Sequence, residues 1–215
     1  MLKYNEKTYQ NHFVIDHILD NISLYEVYDV LFSPESKYLH SVFEIFNVID
    51  LKYEVIENPI KDNTYPSYLI KCNFILPTAP ERKVFLGPSK LDVYIEYKIF
   101  FETEKKFYVE TITNIKGYML VDSFISHALL KFEQNENDVI LNIKYDLEFI
   151  KKNPFKDMYY KRGVNENRED YINVYVPQMD KFISLYKNIT LMEHSEINIV
   201  DINNIIPSNV LYFSE

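Results

Sequence analysis

The segment VYIEYKIFFE, residues 93–102, opens a run of four predicted β-strands that decides the fold. The three strands that follow it are KKFYVETITNI at 105–115, SFISHALLKFEQ at 123–134 and DVILNIKYDLEFI at 138–150. Each strand is rich in β-branched and aromatic residues, and charged or Asn-containing turns separate them. At about ten to thirteen residues they exceed the usual length of about five or six, which suits a strongly curved sheet. The pattern therefore predicts an antiparallel meander shaped as a cup.

One strand, two short helices and two further strands are predicted before this meander. Ser23 followed by Glu26 is the capping-box pattern of a helix start, and an apolar stripe follows it to residue 32. Pro34 suits the first turn of a second helix that Ser33 caps. The predicted strands of this region are residues 12–19, 48–57 and 66–76.

A helical region is predicted after the meander, at residues 155–189. Apolar residues at three- and four-residue steps run from Tyr171 to Tyr186. We expect Gly163 to break this region and Pro177 to kink it.

These elements predict an α+β fold in a single domain at residues 1–190. The sheet has seven curved antiparallel strands, two short helices follow strand one, and a long C-terminal helix lies over the concave face. Residues 191–215 have apolar positions without a clear period, and we leave this tail unassigned.

The composition excludes several classes of protein. Of 215 residues, 47% are apolar and 16% aromatic, which is enough for a core without disulfides or metal. Three glycines are too few for the loops that bind phosphates or dinucleotides. The net charge of −9 argues against a nucleic-acid partner. No cofactor is expected.

The sequence also favours a cytoplasmic protein. The single cysteine, Cys72, lies in an apolar strand and is expected to be a buried thiol in a reducing compartment. Residues 1–10 are polar, unlike a secretory signal, and no segment offers the roughly eighteen apolar residues of a membrane span. Basic residues crowd the start of the last helical region, either as a solvated helix start or as a contact for anionic lipid headgroups. They are Lys151, Lys152, Lys156, Lys161 and Arg162.

Three segments resemble the VASt domain of the StART-like lipid-transfer superfamily. They are LYEVYDVLFSPESKYL at 24–39, GPS at 87–89 with the alternating residues 93–99, and the passage 108–132 with VET, GYMLVDSF and ALLKF. The resemblance spans about residues 12–186 and implies the helix-grip fold and transfer of a sterol-like lipid at membrane contact sites. The family's tryptophans are missing, and we expect Tyr53, Phe149 and Phe155 in their places. Membrane tethering is expected to come from a partner protein or from the surface of the fold.

No catalytic or metal-binding arrangement is recognisable in the sequence. His12 and His17 lie on opposite faces of a strand and cannot share a metal. Ser123 and Ser126 lie in a strand without the sharp turn that exposes a nucleophile, and Cys72 has no neighbouring base. We therefore expect a protein that is not an enzyme.

The inside of the cup is the predicted ligand site. Tyr97, Thr111, Thr113 and Ser126 are polar residues in long apolar strands, where they can orient the head of an apolar ligand. The alternative is that they face solvent or satisfy one another across the sheet. Met179 and Phe182 on the closing helix are expected to line the other side, unless they only fill a core. An open cup should hold about 300 Å³ or more.

The segment 77–89 is the predicted gate of the cup. Its prolines cannot extend a strand ladder. Near its tip, Arg82 and Lys83 are expected to meet lipid headgroups, and Phe85 and Leu86 to touch the bilayer. The alternative is an ordinary surface loop.

Two functions agree best with these patterns, and a hydrolase or cyclase on the same fold ranks third, because the resembling superfamily includes enzymes while this sequence has no recognisable acid, base or nucleophile set. The first is a carrier that holds a sterol or other lipid in the cup and moves it between membranes, which it contacts peripherally. The second is a protein-interaction module with a packed core and no ligand.

Overall fold

The computed structural model describes residues 13–57, 67–77, 90–116 and 121–194. Its helices are α1 (Leu24–Phe32), α2 (Tyr38–Ile45), α3 (Lys156–Asp170) and α4 (Val176–His194), and a π-helical segment, Tyr171–Tyr175, joins α3 to α4. The strands are β1 (Phe13–Leu19), β2 (Ile49–Glu57), β3 (Ser67–Pro77), β4 (Lys90–Thr103), β5 (Lys106–Lys116), β6 (Phe124–Asn135) and β7 (Asp138–Phe149).

The seven strands form one antiparallel sheet in the order β1-β7-β6-β5-β4-β3-β2. The sheet is curved, two helices follow β1, and the long C-terminal helical region packs on the concave face. The predicted fold class is confirmed. We call the edge where β3, β5 and β7 end, and where β4 and β6 begin, the mouth edge.

Aromatic side chains fill the end of the cup farthest from the mouth edge. Phe101, Phe107 and Phe132 are cross-strand neighbours on β4, β5 and β6, and their burial follows the two-residue period of a strand. Phe107 and Phe132 stack with ring centroids 4.5 Å apart, and Phe32 of α1 meets both rings edge-on. This end of the cup is therefore solid core.

Helix α1 begins with the predicted capping box. The Ser23 N–H donates to Glu26 Oε2 at 2.8 Å, and the Glu26 N–H donates to Ser23 Oγ at 3.3 Å. The Leu24 N–H donates to Oε1 of Gln134 on β6 at 2.6 Å, which ties the helix start to the sheet. The predicted start of α1 is confirmed.

Replacing Ser23 by alanine is expected to lower the free energy of unfolding by about 1 kcal/mol, because the Glu26 N–H loses its acceptor. The pKa of Glu26 is lowered from 4.5, chiefly by the hydrogen bond with the Ser23 side chain. That contribution is present above pH 4.5 and is lost as the pH falls. Urea unfolding at neutral and acidic pH measures both effects, with Ser184→Ala on the exposed side of α4 as control. Equal losses in the two variants would contradict the capping role.

The predicted start of the second helix at Pro34 is wrong. Helix α2 begins at Tyr38, and Ser36 organises the turn before it. The Ser36 hydroxyl donates to the Val30 carbonyl at 2.8 Å, and the Tyr38 N–H donates to Ser36 Oγ at 3.2 Å. These bonds hold a tight turn between α1 and α2.

The predicted break at Gly163 is also wrong, because α3 runs through this residue. A Cβ at position 163 would meet Leu147 of β7 at 3.7 Å, so the helix lies close to the sheet there. The helix is irregular just before Pro177 instead, where the Val176 N–H donates to the Tyr171 carbonyl five residues back. Within the described part of the chain, no helix is long and apolar enough to cross a membrane.

Candidate functional site

A cavity of about 40 Å³ lies between the concave face of β4–β7 and the C-terminal helical region. Hydroxyl-bearing side chains dominate its lining, and we call it the hydroxyl cavity. They are Tyr97, Thr111, Thr113, Ser126, Tyr145, Tyr171 and Tyr175.

Strand register brings most of these groups together. Tyr97 is opposite Thr111, Thr111 is opposite Ala128, and Ala128 is opposite Tyr145, so these side chains form one row across four strands. The next row toward the mouth edge contains Thr113 opposite Ser126. The two rows share the concave face because residues two apart in a strand point the same way.

Two tyrosine hydroxyls at the cavity are buried without a hydrogen-bond partner among the described residues. Tyr97 and Tyr145 are each 3% exposed, and no group lies in hydrogen-bond geometry with either hydroxyl. Tyr97 and Tyr175 make a weak hydroxyl contact, and so do Tyr145 and Ser126, but neither contact meets the geometry of a full hydrogen bond. Buried hydroxyls without a protein partner are uncommon, and the cavity beside these two gives a polar group room to bind them.

Burial also keeps these hydroxyls protonated. Desolvation raises the pKa of Tyr97 well above 10.0 and raises that of Tyr145 in the same direction. Burial is the main cause that raises the pKa of Tyr175, and the weak contact with the Tyr97 hydroxyl lowers that pKa by a smaller amount. At physiological pH the cavity therefore offers neutral O–H donors.

The π-helical segment supplies the helical side of the cavity. Tyr171 and Tyr175 are four residues apart and lie on the sheet side of this segment, with ring centroids 4.9 Å apart. Tyr171 also packs against Phe13 of β1, with centroids 6.0 Å apart. The Tyr38 hydroxyl donates to the Tyr175 carbonyl at 3.2 Å, which ties α2 to this segment. π-helical turns occur frequently at functional sites.

The four predicted strand residues Tyr97, Thr111, Thr113 and Ser126 all lie at the cavity. The two predicted helix residues are not among its described lining. Met179 is fully buried in the main core, and Phe182 packs edge-on against Tyr38 with centroids 6.0 Å apart. Which of the six contacts a ligand stays a prediction.

The predicted volume of about 300 Å³ or more is wrong, since the cavity measures about 40 Å³. Tyr145, Tyr171 and Tyr175 project into the space that the prediction left open. Sequence reasoning missed these tyrosines and Asn167. The signals that could have found them are the strand alternation at Tyr145 and the four-residue spacing of Tyr171 and Tyr175 on the helix stripe.

The predicted gate residues Arg82, Lys83, Phe85 and Leu86 lie outside the described residues. The roles assigned to them stay predictions, as does the resemblance that led to the lipid carrier. His12, which was expected on the opposite face of its strand from His17, also lies outside the described residues.

Across residues 13–57, 67–77, 90–116 and 121–194, no three His, Cys, Asp or Glu side chains cluster as metal ligands. Two histidines contact carboxylates instead: His17 Nε2 lies 2.8 Å from Asp180 Oδ1, and His127 Nε2 lies 3.1 Å from Glu148 Oε2. Cys72 is buried, and burial raises the pKa of its thiol to about 12. This cysteine is therefore a neutral thiol at physiological pH.

No protein-family model and no curated protein matches the chain. Several solved structures match it at low identity. TTHA0849 from Thermus thermophilus is 9% identical with a TM-score of 0.45, over 80% of this chain and 97% of that one. A protein from Arthrobacter aurescens is 14% identical with a TM-score of 0.41, over 80% of this chain and 85% of that one. These similarities do not identify a family.

A further match corrects one expectation from the sequence. The di-domain aromatase/cyclase StfQ of the steffimycin biosynthetic pathway is 11% identical with a TM-score of 0.40, over 82% of this chain and 53% of that one. An enzyme is thus among the matching structures, and the expectation that the protein is not an enzyme is withdrawn. The match assigns no reaction to this chain.

Proposed function

We propose that this protein binds one neutral, mainly apolar small molecule in its cup, with a hydroxyl or carbonyl oxygen of the ligand in the hydroxyl cavity. The observation that carries the proposal is the pair of buried hydroxyls on Tyr97 and Tyr145 that lack partners among the described residues. A ligand oxygen that accepts a hydrogen bond from either hydroxyl recovers part of the free energy lost by burying it.

The cavity favours a neutral ligand over an anion. Among its described lining residues none is Lys or Arg, and burying an unpaired carboxylate or phosphate is costly. The hydroxyls are protonated and carry no charge to repel an acceptor. A fatty acid or a phospholipid headgroup is therefore a poor fit, and an alcohol or ketone is a good one.

How far the π-helical segment must move from the sheet on binding depends on the size of the ligand. A volume of about 40 Å³ holds a polar end group, on the order of one to three water-sized groups. A sterol, the ligand expected from the VASt resemblance, additionally needs the tyrosines of the π-helical segment to move away from the sheet. We extend the proposal to the transfer of a sterol between membranes, which requires the π-helical segment to move away from the sheet.

Native mass spectrometry tests the ligand directly. The full chain is purified from cells and also incubated with phosphatidylcholine vesicles that contain cholesterol. A one-to-one adduct with a neutral alcohol or ketone is expected. An adduct with an anionic lipid would contradict the assigned ligand class.

A chain that stays free of adducts in both experiments would overturn ligand binding. The small cavity would then favour the second candidate, a protein-interaction module with a packed core. Crosslinking in cell extract followed by identification of the crosslinked protein distinguishes this candidate.

A further inference from the structure

The junction between β7 and α3 exposes three large apolar side chains close together in sequence. Ile150 is 48% exposed, Phe155 53% and Met158 49%. Side chains of this kind are usually scattered singly over a surface. Here they flank the turn that begins at the end of β7.

The same junction is basic within an acidic protein. Residues 149–162 contain five basic side chains and one acidic one, whereas the whole chain has a net charge of −9. Lys151, Lys152 and Lys156 line a shallow open depression of about 690 Å³. Lys156 Nζ lies 5.3 Å from the centroid of the Phe149 ring, and Lys151 Nζ lies 2.5 Å from Asp122 Oδ2.

The sheet topology places this junction at the mouth edge. β7 is antiparallel to β6, so it ends where β6 begins and where β5 ends. The row with Thr113 and Ser126 is the part of the hydroxyl cavity nearer that edge. A surface docked on the junction would therefore face the mouth of the cup.

We propose that this junction patch, formed by Ile150, Phe155 and Met158 with Lys151, Lys152 and Lys156, docks the protein on an anionic lipid bilayer. The lysines contact phosphate and carboxylate groups of the lipid surface. The apolar side chains enter the boundary between headgroups and acyl chains, as on an interfacial amphipathic helix. An anionic bilayer is the partner that fits the charge of the patch, because the patch is cationic while the rest of the chain is acidic.

Vesicle co-sedimentation of the full chain tests the docking surface. The vesicles contain phosphatidylcholine, with or without phosphatidylserine, and no sterol, so the result is independent of any ligand in the hydroxyl cavity. Wild-type protein is expected to bind only the vesicles with phosphatidylserine. Added salt should weaken binding, because it screens the exposed charges.

Two sets of variants separate the charged and apolar contributions. Lys152→Gln/Lys156→Gln is expected to weaken binding on the order of thirtyfold. Phe155→Ser/Met158→Ser is expected to weaken it on the order of tenfold. Phe155 is the N-cap residue of α3, and serine is a preferred N-cap, so this variant retains the helix.

A matched control changes an exposed lysine and an exposed apolar residue of α4, as Lys181→Gln/Leu185→Ser. It is expected to bind like wild type. Failure of the wild-type protein to bind the vesicles with phosphatidylserine would overturn the proposal. Equal binding by the control and both junction variants would overturn it as well, because the docking surface would then lie elsewhere.

Discussion

Replacing Phe107 by alanine is expected to lower the free energy of unfolding by about 3–5 kcal/mol. The Phe107 side chain is fully buried and stacks on Phe132 with centroids 4.5 Å apart. It also meets Phe32 and Phe101 at centroid distances of 6.1 and 5.2 Å. Alanine leaves a cavity among the stiff rings of β4, β6 and α1, and such a site collapses poorly.

Urea unfolding followed by circular dichroism measures this loss. The matched control is Phe155→Ala, because Phe155 is 53% exposed. Its effect is expected to stay within about 0.5 kcal/mol. A loss below about 1 kcal/mol for Phe107→Ala would contradict the assignment of this aromatic cluster as the solid end of the cup.

Replacing Tyr97 and Tyr145 by phenylalanine is expected to stabilise the protein without ligand, by about 1–3 kcal/mol for each hydroxyl. Each substitution removes a buried donor that has no partner among the described residues and keeps the packed ring. The same substitutions are expected to weaken ligand binding, because the ligand oxygen loses its donors. A gain in stability with a loss of binding is the signature of a residue selected for function.

Tyr38→Phe provides the contrast, since Tyr38 is also fully buried but its hydroxyl donates to the Tyr175 carbonyl at 3.2 Å. This variant is expected to lose about 0.5–1.5 kcal/mol. Thermal unfolding of the three variants, together with native mass spectrometry, gives both readouts. A destabilisation of Tyr97→Phe as large as that of Tyr38→Phe would show that the Tyr97 hydroxyl already has a partner.

The sheet could be predicted from the sequence because its signals are local. The strands followed from their residue types and alternation, whereas Tyr97, Thr111 and Ser126 were candidates for the inside of the cup that the sequence could also place toward solvent; in the structure they line the cavity. The start of α1 was equally predictable, because its capping box spans four residues. Local periodicity and capping decide these features without knowledge of distant contacts.

The space inside the cup could not be predicted in the same way. Its volume depends on how closely the C-terminal helical region approaches the sheet and on how far Tyr171 and Tyr175 of that region extend into the cup. The predicted helix break at Gly163 was wrong because the low helix propensity of glycine is a weak guide, and tertiary packing overrides it. A Cβ at this position would lie 3.7 Å from Leu147, an ordinary van der Waals contact, so the packing does not require glycine there. The resemblance to a lipid-carrier family did not indicate how full the cup is.

The pairing of β1 with β7 makes the order of synthesis matter. Phe13 is opposite Tyr145, so the first described strand has its sheet partner only near the end of the meander. A ribosome that adds about 5–20 residues per second needs on the order of ten seconds to supply that partner. During this interval the apolar faces of α1 and α2 have no strands to pack against. The strands from β2 to β7 differ, because each pairs with the strand synthesised just before it. Among the described elements, β1 therefore waits longest for its sheet partner, and we expect a chaperone to bind the nascent segment from β1 to α2.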